Sequence, residues 1–195
     1  LVISESPRVR FVFSTRGGTL VSAQLQGYSK AGGGPVELVA EGGAGLGVTV
    51  ESEAAGGQSV DLTTAHFEPD RELTRVDEDG EGRLRLRAQL ADGRMVDKLI
   101  TVRGEEFGVD VGVVLHGFSE DDVVHLVWRG GVGLAEREPE LDLQSMKSLA
   151  YINESLYEVQ VDDDESASES ERGDVRWAGV RNKYFAVMLS PSLET

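Results

Sequence analysis

Apolar residues recur at every second position along most of this chain, which limits it to strands with one buried face. Val9, Phe11 and Phe13 alternate with Arg10, Val12 and Ser14. Leu84, Leu86, Ala88 and Leu90 alternate with Arg83, Arg85, Arg87 and Gln89. Phe107, Val109, Val111, Val113 and Leu115 form the longest run, and Val123, His125 and Val127 repeat the pattern with His125 on the inward side. These segments are too short and too β-branched for helices. Turn residues punctuate them: Gly17-Gly18, Gly32-Gly33-Gly34-Pro35, Gly42-Gly43 and Arg103-Gly104-Glu105. Asp92-Gly93 falls between two alternating runs and predicts a hairpin with a type I′ turn. Strands spaced in this way predict an all-β, antiparallel sandwich or barrel. Glu140 to Tyr151 lacks clean alternation and reads as a short helix or an irregular crossover.

A chain of 195 residues is the length of one domain with a real core. Its formal net charge of -16 excludes a nucleic-acid surface, which needs clustered Lys and Arg, and excludes charge-driven binding to anionic lipid. The absence of cysteine removes disulfides, Cys-ligated zinc and cysteine nucleophiles. No apolar run approaches the ~20 residues of a membrane-spanning helix; the longest is Tyr184 to Leu189. There is no initiating Met, so the sequence reads as a piece of a longer polypeptide.

Residue patterns with chemical meaning are few. His66, His116 and His125 sit in no ligand motif and read as packed or surface histidines. The tract Asp162 to Glu171 has consecutive carboxylates and no central Gly, so it reads as a flexible, solvated acidic loop rather than a calcium loop. The clusters Gly42-Gly43-Ala44-Gly45 and Gly130-Gly131-Val132-Gly133 lack the Lys-Ser/Thr and helix start of a phosphate cradle and read as turns or bulges. Nucleophile elbows and dinucleotide fingerprints are absent.

Three segments, in order, resemble one family. The first is Ser14-Thr15-Arg16-Gly17-Gly18-Thr19-Leu20. The second runs from Asp92-Gly93 through Lys98 to Val102, followed by Gly104 and Phe107. The third runs from Trp177 through Lys183-Tyr184-Phe185 to Pro191. Together they resemble the large periplasmic domain of the bacterial YidC membrane protein insertase. The resemblance implies one periplasmic β-supersandwich over 1–195, of galactose-mutarotase-like architecture, with at most one or two short helices. It implies placement at the periplasmic face of the inner membrane, between the first two transmembrane helices of a multispanning protein. Insertion would be performed by a membrane core outside this chain. This domain would be a non-enzymatic scaffold without cofactor or metal. Its expected contacts are the accessory subunits of the Sec translocon and, through the full-length protein, substrate membrane proteins. The matching residues Arg16, Gly17, Gly18, Gly93, Lys98, Gly104, Phe107, Lys183, Tyr184, Phe185 and Pro191 are expected to be structural. The family's domain continues past the Lys-Tyr-Phe segment, so the expectation is either a truncated C-terminus, which would leave an open sheet edge, or a remainder beyond the given sequence. The alternative is a carbohydrate-binding or mutarotase-like sandwich, which needs a His pair and a Glu base in a cleft, with Trp128 and Trp177 to stack sugars.

Overall fold

A computed structural model describes residues 1–52, 57, 59–160 and 170–192. In chain order the strands are β1 (Val2–Glu5), β2 (Val9–Phe13), β3 (Leu20–Ser29), β4 (Pro35–Glu37), β5 (Ala44–Glu51), β6 (Val60–Asp61), β7 (Glu68–Pro69) and β8 (Leu73–Arg75). They continue with β9 (Glu81–Gln89), β10 (Met95–Arg103), β11 (Val109–His116) and β12 (Val123–Arg129). The helix α1 (Pro139–Gln144) precedes β13 (Lys147–Ile152), β14 (Ser155–Gln160), β15 (Val175–Arg181) and β16 (Ala186–Leu189). The fold is all-β with one short helix among the described residues. Most strand pairs among the described residues are antiparallel, whereas β1 pairs with β8 in parallel. The segment 140–151 resolves into α1 followed by β13, so helix and strand both occupy it.

The chain forms two compact units. The first holds Leu1–Gly27 and Gly42–Gly130. One of its sheets has the strand path β12-β5-β3-β2-β1-β8, and another has the order β11-β10-β9-β7. The β9–β10 hairpin follows the alternation closely. Leu84, Leu86 and Ala88 face Ile100, Lys98 and Val96 in register, and all six are buried. Val9, Phe11 and Phe13 are buried on β2 as the pattern requires.

Two local expectations are corrected. The β9–β10 connection is not a type I′ turn, because Gly93 alone takes positive φ (90°) while Asp92 does not. The Gly93 amide donates to the Leu90 carbonyl at 3.0 Å, and the Leu90 amide donates to the Arg94 carbonyl at 2.9 Å. That is a three-residue loop, a type I turn closed by a left-handed glycine. The Asp92 carboxylate accepts the Arg94 amide at 3.0 Å across the loop.

β12 also departs from expectation: Val123, Val124, His125 and Leu126 are all exposed, so His125 has no inward side to occupy. Val124 and Leu126 stand opposite Val50 and Val48, whose side chains are buried. Val124 and Leu126 are nevertheless 40% and 42% exposed, about as much as Val123 at 39%, so neither parity of β12 turns inward. β12 is apolar on both parities, so its sequence names no single inward face, and its partly buried residues are the consecutive pair Val127 and Trp128.

The second unit holds Tyr28–Glu41 and the chain from Gly131 onward. Its sheet has the order β14-β13-β15-β16. Val36, Val39, Val132, Ala135, Met146 and Ile152 supply its buried apolar residues. Val39 bridges to Val132, and the Ala31 amide donates to the Ala135 carbonyl at 2.9 Å. Asp142 of α1 is fully buried and accepts the amides of Ala135 and Glu136 at 2.7 and 2.9 Å. Of the acidic tract 162–171, residues 162–169 lie outside the described residues.

Candidate functional site

The first two motif segments meet in the first unit. Gly17 and Gly18 both adopt positive φ, 74° and 53°, at the turn between β2 and β3. A Cβ at Gly17 would collide with the Thr63 carbonyl oxygen, and one at Gly18 would come within 3.1 Å of the Phe67 ring. Backbone bonds pin this turn to the 62–67 segment: Gly17 amide to Ala65 carbonyl and Phe67 amide to Thr15 carbonyl, both 2.7 Å. Arg16 is exposed and bridges to His66.

Lys98 completes the cluster. Alternation along β10 points it inward between Val96 and Ile100, and its exposure is 0%. Its ammonium donates to the carbonyls of Gly17 (2.9 Å), Gly18 (3.0 Å) and Leu46 (2.6 Å). An ammonium has three donors, and each finds a main-chain oxygen. The Phe67 ring centroid lies 5.1 Å from Nζ. Leu46 has positive φ, 60°, the conformation in which its carbonyl receives the cation. Burial pushes the Lys98 pKa down to about 8. Sealed from solvent, this lysine ties a turn together.

On the next β10 position the side chain points the other way. Asp97 receives a two-pronged contact from Arg87 at 2.7 and 2.6 Å, and His116 Nε2 lies 3.1 Å away. The Arg87 guanidinium, then His116, hold the Asp97 pKa at about 2 against the cost of burial. Gly104 packs where a Cβ would strike the Asp77 and Glu78 carbonyls. Phe107 is half exposed, with the Arg8 guanidinium 5.8 Å from its ring centroid.

The third motif segment builds a turn in the second unit. Asn182 is buried and uses both ends of its carboxamide. Its Nδ2 donates to the Gly133 carbonyl at 3.1 Å, while Oδ1 accepts the amides of Tyr184 and Phe185 at 3.0 and 2.9 Å. The Asn182 amide donates to the Phe185 carbonyl at 2.9 Å. This asparagine-pinned turn leaves Lys183 and Tyr184 exposed. The Tyr184 hydroxyl donates to Glu136 Oε1 at 2.6 Å, and Lys183 Nζ lies 3.3 Å from the same oxygen. Tyr184, then Lys183, lower the Glu136 pKa. Pro191 follows β16 in an exposed position.

The three histidines have separate neighbours: the His66 backbone forms a β-bridge with Arg16, the His116 ring meets Asp97, and the His125 ring lies 3.1 Å from Glu51. Among the described residues, no three His, Cys, Asp or Glu side chains are grouped to hold a metal. No helix among them is long and apolar enough to cross a membrane. The residues that sequence reasoning missed are Leu46, Phe67, Asn182 and Glu136. Asn182 alone had a local signal, a residue type suited to cap a turn just before Lys183-Tyr184-Phe185.

Known proteins were then compared with the chain. The sequence profile of the YidC periplasmic domain matches residues 3–194. A membrane protein insertase YidC from Chlorobium phaeovibrioides is 27% identical over 98% of this chain and 34% of its own length. The membrane protein insertase YidC of Pelodictyon phaeoclathratiforme is 26% identical, covering 96% of this chain and 33% of the relative. That of Chlorobaculum parvum is 26% identical, covering 93% and 32%. The chain thus spans about a third of the length of these curated relatives.

Proposed function

Because the chain belongs to the YidC periplasmic domain family, we propose that it serves a membrane protein insertase as a non-enzymatic scaffold that docks protein partners. The family match over residues 3–194 carries this reading. The partners proposed are the accessory subunits of the Sec translocon, with substrate membrane proteins engaged by the full-length protein. Insertion itself is assigned to the membrane core outside this chain, which tethers the domain at the periplasmic face of the inner membrane. Both compact units are taken as parts of one periplasmic module.

The motif residues fit a scaffold. Gly17, Gly18 and Lys98 fix a turn, Gly104 allows close backbone packing, and Lys183, Tyr184 and Phe185 belong to a pinned turn. Rigid loops of this kind lower the ordering cost of association. A formal charge of -16 steers basic partner surfaces toward the domain and away from anionic headgroups.

Full-length insertase in nanodiscs, titrated with purified Sec accessory subunits, tests the reading. Saturable binding that weakens when residues 1–195 are deleted is the expected result. Equal binding with and without the domain would remove the docking role.

A further inference from the structure

We infer that Tyr184, held by the 182–185 turn, is the anchor on which an arginine-bearing segment of a protein partner docks; the inference rests on the docking role proposed above. Four observations meet at this residue. The ring is 57% exposed, so it adds little to the unit's own core. It is nevertheless fixed at both ends, by the Asn182 carboxamide on its amide and by Glu136 on its hydroxyl. Glu136 is itself fixed, since its amide donates to buried Asp142. An exposed aromatic whose position has already been ordered loses little entropy on binding, the property of a contact hot spot.

The chemistry selects a cation, and arginine among cations. Lys183 Nζ lies 4.9 Å from the ring centroid, so the ring already accepts a cation within this chain. The adjoining 136–140 stretch carries Glu136, Glu138 and Glu140 against Arg137, with Lys183 paired to Glu136, so Glu138 and Glu140 are the carboxylates in excess. A planar, weakly hydrated guanidinium stacks on an aromatic face and reaches a neighbouring carboxylate at the same time, which an ammonium does less well. The net charge of -16 brings such a segment in from a distance.

The test uses the full-length insertase in nanodiscs, with the Sec accessory subunits as the probe, and three variants. Tyr184→Ala should weaken binding about tenfold. Tyr184→Phe, which keeps the ring, should stay within about threefold of the unaltered protein. Tyr184→Leu, apolar but without a π face, should fall with Tyr184→Ala. Thermal unfolding should be nearly unchanged in all three, because the side chain is mostly in solvent. Unaltered affinity in Tyr184→Ala would overturn this inference and leave the docking role intact. Full affinity in Tyr184→Leu, or equal loss in Tyr184→Phe and Tyr184→Ala, would also overturn it, by assigning the effect to bulk or to the hydroxyl. Absence of any binding by the unaltered protein would overturn the docking role itself.

Discussion

An ammonium loses a large hydration energy when buried, and Lys98 recovers part of it from three main-chain carbonyls rather than from a carboxylate. Lys98→Met keeps much of the stem's bulk and leaves those oxygens without a donor. At roughly 1–3 kcal/mol per orphaned buried group, offset by relief of the charge's own burial, a net loss of about 3 kcal/mol is expected. A lower urea midpoint at unchanged m-value would report it. Asp97 provides the pH dependence. Its pKa is held at about 2, below the ordinary 3.8, so the unfolded chain takes up the proton first as pH falls. Its stabilisation is complete above about pH 4 and is lost as pH falls toward 2, an amount of about 2 kcal/mol. Asp97→Asn should remove that slope from the stability profile between those pH values. The family resemblance marked Lys98 as structural, yet its acceptors lie 81, 80 and 52 residues away, where no local pattern reaches.

The turns between elements separate two uses of glycine. Gly93 has positive φ and open space around it, whereas Gly17 has positive φ and the Thr63 carbonyl in the place of a side chain. Gly93→Ala should therefore cost about 1 kcal/mol, the strain of the left-handed conformation alone. Gly17→Ala should cost at least twice that, because the backbone must also move. Paired thermal melts of the two variants would check the order. Legibility at this scale followed the contrast between parities. β9 reads cleanly because arginines fill one face and aliphatics the other. β12 misleads because Val123, Val124, Leu126 and Val127 put apolar residues on both. The Asp92-Gly93 hairpin was legible as a hairpin but not as a turn type, which depends on whether one or two residues take positive φ. Around residues 140–151, a six-residue helix and a six-residue strand follow closely, so neither periodicity lasts long enough to dominate. In the candidate site, Tyr184 was visible as part of a motif, but its tie to Glu136 joins positions 48 residues apart.

For the whole chain, an excess of 16 negative charges produces self-repulsion that salt screens. Raising sodium chloride from about 50 to about 500 mM should raise the melting temperature. Docking of a basic partner should weaken over the same range, since the same screening removes the attraction. A melting temperature that falls with salt would show that ion pairs such as Arg87–Asp97 outweigh the repulsion. The curated relatives are near 26–27% identical over almost all of this chain, so side chains diverge widely within one family. The lysine-bound turn also has a temporal consequence. A chain leaving the ribosome exposes the acceptors at 17, 18 and 46 long before residue 98 is made. Until then the turn has its geometry but not its cation, and the β2–β3 region stays unlatched. The N-terminal half of the first unit therefore matures only after the middle of the chain has been synthesised, whatever the speed of the individual hairpins.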